Sequence, residues 1–154
     1  MFVLFKYLHI LTMFAAVAAA FVPETWLHAI ARRRDVAALR GYLPLASRVG
    51  ALVPILFVAG LIFGLVAAWA GEIDFFRPWL IAAYVLFAIA MATGALVSAP
   101  WVARLSAAAE TSEGDQASPE LAEALADRRG MISTTVLLSA IVVIVFLMVA
   151  QPGG

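Results

Sequence analysis

Four apolar runs dominate the chain, at residues 2–22, 49–70, 78–99 and 131–150. Each is roughly 20 residues long, the length a helix rising 1.5 Å per residue needs to cross a hydrocarbon core of about 30 Å. None alternates with a period of two, so they are not barrel strands. A helix also satisfies its own backbone hydrogen bonds in lipid, which an unpaired strand cannot do. The expected fold is therefore all-α: an integral membrane bundle of four transmembrane helices. The whole chain, 1–154, reads as one domain, with two polar connections at 23–48 and 100–130.

Composition agrees. Hydrophobic residues make up 65% and charged residues 13%, against about 45–50% and about 25% in soluble domains. Ordinary soluble enzymes and disordered chains are excluded. Ten basic and ten acidic residues cancel, which leaves no pull toward nucleic acid. The absence of cysteine removes disulfides, thiolate metal sites and covalent haem attachment. The sequence Ala18-Ala19-Ala20 resembles a signal-peptidase site, but Lys6 follows four apolar residues and makes a poor basic leader. Run one is read as a retained span.

Orientation follows from the basic residues. Arg32, Arg33, Arg34, Arg40, Arg48, Arg104, Arg128 and Arg129 lie in the two long connections, and only Lys6 and Arg77 fall on the other side. The positive-inside rule places both connections in the cytoplasm and both termini outside. The connection 24–40 mixes apolar residues with arginines and has helical character, with Gly41 as its expected stop. Residues 110–116 are the most polar stretch and are expected to form a mobile loop. Ser118-Pro119-Glu120 reads as the N-cap, N1 and N2 of a helix leading to run four, with a bend at Gly130.

His9 is the residue most open to a chemical role, because ionisable groups inside a membrane are costly. It shares a helix face with Lys6 and Met13. Lys6 is near enough to the helix start to snorkel, whereas His9 is about 10 Å in. Two readings stand. In one, His9 is a packed residue bonded to a backbone carbonyl or a tyrosine, Tyr84 being at matching depth. In the other it is an axial ligand to haem b or a metal, completed by Met148 or by His9 of a second copy. Gly60 and Gly64 form a G-x-x-x-G pattern, and Ala16, Ala20, Ala88, Ala92 and Ala95 give small faces for helix packing. Pro54 is expected to kink run two. Thr135 and Ser139, four apart in run four, are expected to back-bond or join helices. Glu110, Glu113, Asp115, Glu120, Glu123 and Asp127 read as a solvated acidic face. No hydrolase or nucleotide-binding motif occurs.

Four segments carry a family likeness: Lys6-Tyr7-Leu8-His9, Phe76-Arg77-Pro78-Trp79-Leu80, Pro100-Trp101-Val102-Ala103-Arg104 and Leu147-Met148-Val149-Ala150-Gln151-Pro152. In this order they resemble a bacterial family of small integral membrane proteins of unknown function, itself similar to the copper-resistance CopD proteins and the HemJ-type protoporphyrinogen oxidases. The resemblance implies a four-span inner-membrane bundle and, through the HemJ-type helix-one histidine, a haem-ligating role for His9. The chain departs from the HemJ pattern after His9, continuing Thr12-Met13-Phe14, and is shorter and poorer in His and Met than CopD. The expected role is a non-catalytic accessory or interaction subunit in the lipid bilayer, as a homodimer or within a larger membrane complex. A haem b redox protein is the alternative and a metal-ion permease the third reading. Runs two to four hold no ionisable Asp, Glu, Lys, Arg or His, which argues against ion coupling.

Overall fold

The computed structural model describes residues 1–112 and 116–152. Within them the chain forms α1 (Phe2–Arg33), α2 (Val36–Ala70), α3 (Pro78–Thr93), a π turn (Gly94–Ser98), α4 (Ala99–Thr111), α5 (Pro119–Ala126) and α6 (Arg128–Ala150), with no strand among the described residues. Four stretches are long and apolar enough to span a membrane, and they contain the four apolar runs. α1 packs along α2, α3 along α6, and α4 against α2 and α5.

The helices run well beyond the apolar segments, and several expected boundaries are corrected. α1 continues through Pro23 to Arg33 and stops at Arg34, which adopts a left-handed conformation (φ 53°). Asp35 then caps α2, its carboxylate accepting from the Ala38 N–H at 2.9 Å. The link between the first two helices is therefore a two-residue turn. Gly41, the expected stop, lies inside α2, where an added methyl group would meet nothing. Pro44 and Pro54 are likewise carried within α2. The helix of the third apolar run does not end at residue 99. A π turn spans Gly94–Ser98 within it, and α4 carries the helix on to Thr111. The Ser118 cap is as expected, its hydroxyl accepting from the Leu121 N–H at 3.2 Å. The break before α6 falls at Asp127 rather than Gly130. Of the expected mobile loop, Glu110 and Thr111 are helical, and Glu113 and Asp115 lie outside the described residues.

These extensions build a collar at the arginine-rich end. Leu27 of α1, Val36, Leu39 and Leu43 of α2, Leu105 of α4 and Leu121 of α5 are almost completely buried. The pattern 101, 105, 108 and 109 on α4 is an ordinary amphipathic stripe. Outside the hydrocarbon each buried leucine contributes about 1.5–3 kcal/mol of transfer free energy. Within the bilayer that drive vanishes, because lipid tails are as apolar as leucine. There the helices leave large side chains outside, such as Phe14 at 74% and Leu96 at 76% exposed.

Polar bonds lock the collar. Arg40 reaches from α2 to the carbonyl-rich end of α4, donating from Nε to the Ala109 carbonyl at 3.1 Å and from Nη2 to the Ser112 carbonyl at 2.6 Å. A cation there meets the negative end of the helix dipole. The Tyr42 hydroxyl donates to the Pro23 carbonyl at 3.1 Å. Arg104 pairs with Asp127 at 2.8 Å, an exposed ion pair that contributes little by itself.

Candidate functional site

His9 lies half-buried at the contact between α1 and α2. Its Nδ1–H donates to the Gly60 carbonyl at 2.7 Å. A methyl group on Gly64 would stand 2.7 Å from His9 Nδ1, and one on Gly60 would stand 2.5 Å from Met13 Sδ. The two glycines therefore let α1 approach α2 within one chain, with His9 and Met13 seated in the space their missing side chains leave. The thioether at Gly60 is flexible and could give way. The imidazole at Gly64 is rigid and bonded, so Gly64 is the stricter requirement.

Of the partners weighed from the sequence, the backbone carbonyl is the one His9 takes. The Tyr84 hydroxyl has no hydrogen-bond partner among the described residues, nor does the Trp79 indole N–H; both atoms are buried on α3. Met148 is half-buried on α6, whose main partner is α3, and no described interaction joins it to His9. The Lys6 ammonium lies 5.6 Å from the centre of the Phe2 ring at the opposite end from the collar.

A richer polar cluster forms where α1 meets the π turn and α6. His28 Nε2 and Thr134 Oγ1 are 2.9 Å apart, and the His28 ring stacks on Trp101 with centroids 5.3 Å apart. The Glu24 carboxyl, one turn earlier on α1, lies beside the hydroxyls of Thr134 and Ser98. Ser98 donates to Ser133 Oγ at 3.0 Å, and Ser133 and Thr134 both bond the Gly130 carbonyl, at 2.7 and 3.0 Å. Trp101 is fixed from its other side, its indole N–H donating to the Ala124 carbonyl at 3.1 Å.

Each part of the cluster has a local cause. Glu24 and His28 are four apart and share a helix face. The π turn adds a residue to one helical turn, the Ala99 N–H bonding the Gly94 carbonyl. That shift sets Ser98 and Trp101 toward α1 and α6; π turns recur at functional positions. Gly130 has no side chain because the Trp101 indole occupies that volume. Thr134 has one proton and three neighbours: the Gly130 carbonyl, His28 Nε2 and the Glu24 carboxyl. If that proton goes to Gly130, His28 must donate from Nε2 and Glu24 must carry its own proton to bond Thr134. The arrangement can thus hold a proton at either ionisable group with Thr134 between them.

Sequence reading singled out Thr135 and Ser139 in run four. Ser133 and Thr134 also back-bond, and they join helices, while Ser139 is exposed. Glu24 and His28 were missed because they follow the apolar run and read as connection. Their i, i+4 spacing on a continuing helix was the available signal. A cleft of about 290 Å³ opens beside the cluster, lined by Thr25, His28, Ala29, Arg32, Thr134 and Thr135. Among the described residues, no group of three or more His, Cys, Asp or Glu is placed to hold a metal ion.

Comparison with known proteins adds one match. No curated protein and no solved structure matches the chain. The family described as "Predicted integral membrane protein (DUF2269)" matches residues 3–152. That match covers nearly the whole sequence and agrees with four membrane-spanning helices. The chain belongs to this family of integral membrane proteins.

Proposed function

We propose that the protein is a non-catalytic accessory or interaction subunit of the bacterial inner membrane, with the collar in the cytoplasm and both termini outside. The orientation rests on eight basic residues at the collar side against two at the other. The role rests on how the small residues are used. Ala16, Gly60 and Gly64 are spent on the α1–α2 contact. Ala88, Ala92 and Ala95, at i, i+4 and i+7 on α3 and its continuation, all face outward. Small side chains let a second helix come close enough for van der Waals contact, which is what drives association in lipid. The occupant of that stripe is a helix of a second copy or of another membrane protein. A photocrosslinking residue placed at Ala92 in intact membranes should give a discrete heavier band, and Ile62 on α2 serves as a lipid-facing comparison. Lipid adducts alone at both positions would refute the interaction role.

One observation favours the haem b reading as a second. The His9 bond to the Gly60 carbonyl fixes the proton on Nδ1 and leaves the Nε2 lone pair open, the state an axial ligand needs. Likeness to the HemJ-type helix-one opening supports the same role. His9 would hold the iron, which supplies one-electron chemistry when bound. Protein purified from haem-supplemented cells should then show a Soret band that His9→Ala removes. A featureless spectrum leaves His9 as a packing residue.

A further inference from the structure

We propose that the cleft between α1 and α6 is a binding site for an anionic phospholipid, which it holds by the phosphate. The cleft is unlike the rest of the molecule. Thr25, His28 and Arg32 enter it from α1 and Thr134 and Thr135 from α6, so polar groups line it in a chain that is otherwise apolar.

Its level in the membrane selects the ligand. Thr25 to Arg32 follow Phe2 by a helical rise of about 35–45 Å. On α1 a hydrocarbon core of about 30 Å ends before them, and Thr134 and Thr135 stand at the start of the fourth apolar run, so the cleft lies at the boundary between hydrocarbon and headgroups. Arg32 supplies the charge, and a guanidinium matches phosphate oxygens with two parallel donors. Arg33 and Arg34 follow it, and Arg128 and Arg129 begin α6, which makes the surroundings attractive to anions. Glu24 does not line the cleft. α1 and α6 touch little along their lengths.

The full chain, purified in dodecyl maltoside, would be titrated separately with dioleoylphosphatidylglycerol, dioleoylphosphatidylcholine and inorganic phosphate. Retained adducts are counted by native mass spectrometry. Phosphatidylglycerol should be retained in preference to phosphatidylcholine. Arg32→Gln should lower its affinity about tenfold, while Arg33→Gln, which removes the same charge outside the cleft, should lower it less than twofold. Ala29→Trp fills the cleft from an exposed helical position that tolerates substitution, and it should match the loss seen with Arg32→Gln. Equal losses with Arg32→Gln and Arg33→Gln would reduce the effect to general surface charge and overturn the site. Retention unaffected by Ala29→Trp would overturn it as well. Inorganic phosphate displacing the lipid at equal concentration would assign the cleft to a soluble anion and overturn the lipid as occupant.

Discussion

Gly130→Ala is expected to destabilise the protein by about 3 kcal/mol or more. The added methyl group would fall inside the indole of Trp101, a ring only 4% exposed. Overpacking a filled site costs about 1–3 kcal/mol. Displacing the ring also breaks its bond to the Ala124 carbonyl and its stack on His28. A buried N–H left without a partner costs about 1–3 kcal/mol more. Gly50→Ala is the matched control. Gly50 is within α2 and an added methyl group there meets nothing, so alanine should be neutral or stabilise by about 0.5–1 kcal/mol. Denaturant titration in mixed micelles measures both. Equal stability of Gly130→Ala and the parent would mean that Trp101 is not seated between α4 and α6 as described.

The same contact shows why the membrane spans were legible and the collar was not. Span length is a one-dimensional quantity: about 20 apolar residues suffice, and the runs at 2–22 and 131–150 announce it. The collar depends on helices continuing where local signals say stop. Gly41 and Pro44 sit inside α2, and Pro100 sits inside α4. Pro100 follows directly on the π turn, where the hydrogen-bond ladder is already shifted from its α pattern, so the helix passes through it. Gly41 costs α2 some stability, but Asp35 already starts that helix and buried Leu39 and Leu43 hold it. Tertiary burial outweighs a local preference of about 1 kcal/mol. For His9, helical rise could give a level along the helix but not an azimuth. Tyr84, expected at a matching level, belongs to the α3–α6 pair, while Gly60 faces His9 directly.

Thr134→Val is expected to cost about 2 kcal/mol or more, although it preserves shape. The hydroxyl lost serves the Gly130 carbonyl, His28 Nε2 and the Glu24 carboxyl together. Gly130 keeps its bond from Ser133, and its loss is mild. His28 and Glu24 have no such substitute from α6, and each pays part of the cost of an unmet polar group. Thr134→Ser restores the hydroxyl and should recover most of the loss. Ser139→Ala, at an exposed position one turn along α6 from Thr135, should stay within about 0.5 kcal/mol. A double-mutant cycle then separates bonding from packing. With Glu24→Gln in the background, Thr134→Val should change in cost by more than about 0.5 kcal/mol, because the two side chains share one bond. Strict additivity would show that Thr134 only fills space, and that Glu24 and His28 are not linked through it. Coupling would mean that the α1–α6 junction depends on an interaction between Thr134 and Glu24. Sequence alone could not show that dependence, because the three residues belong to segments 106 positions apart.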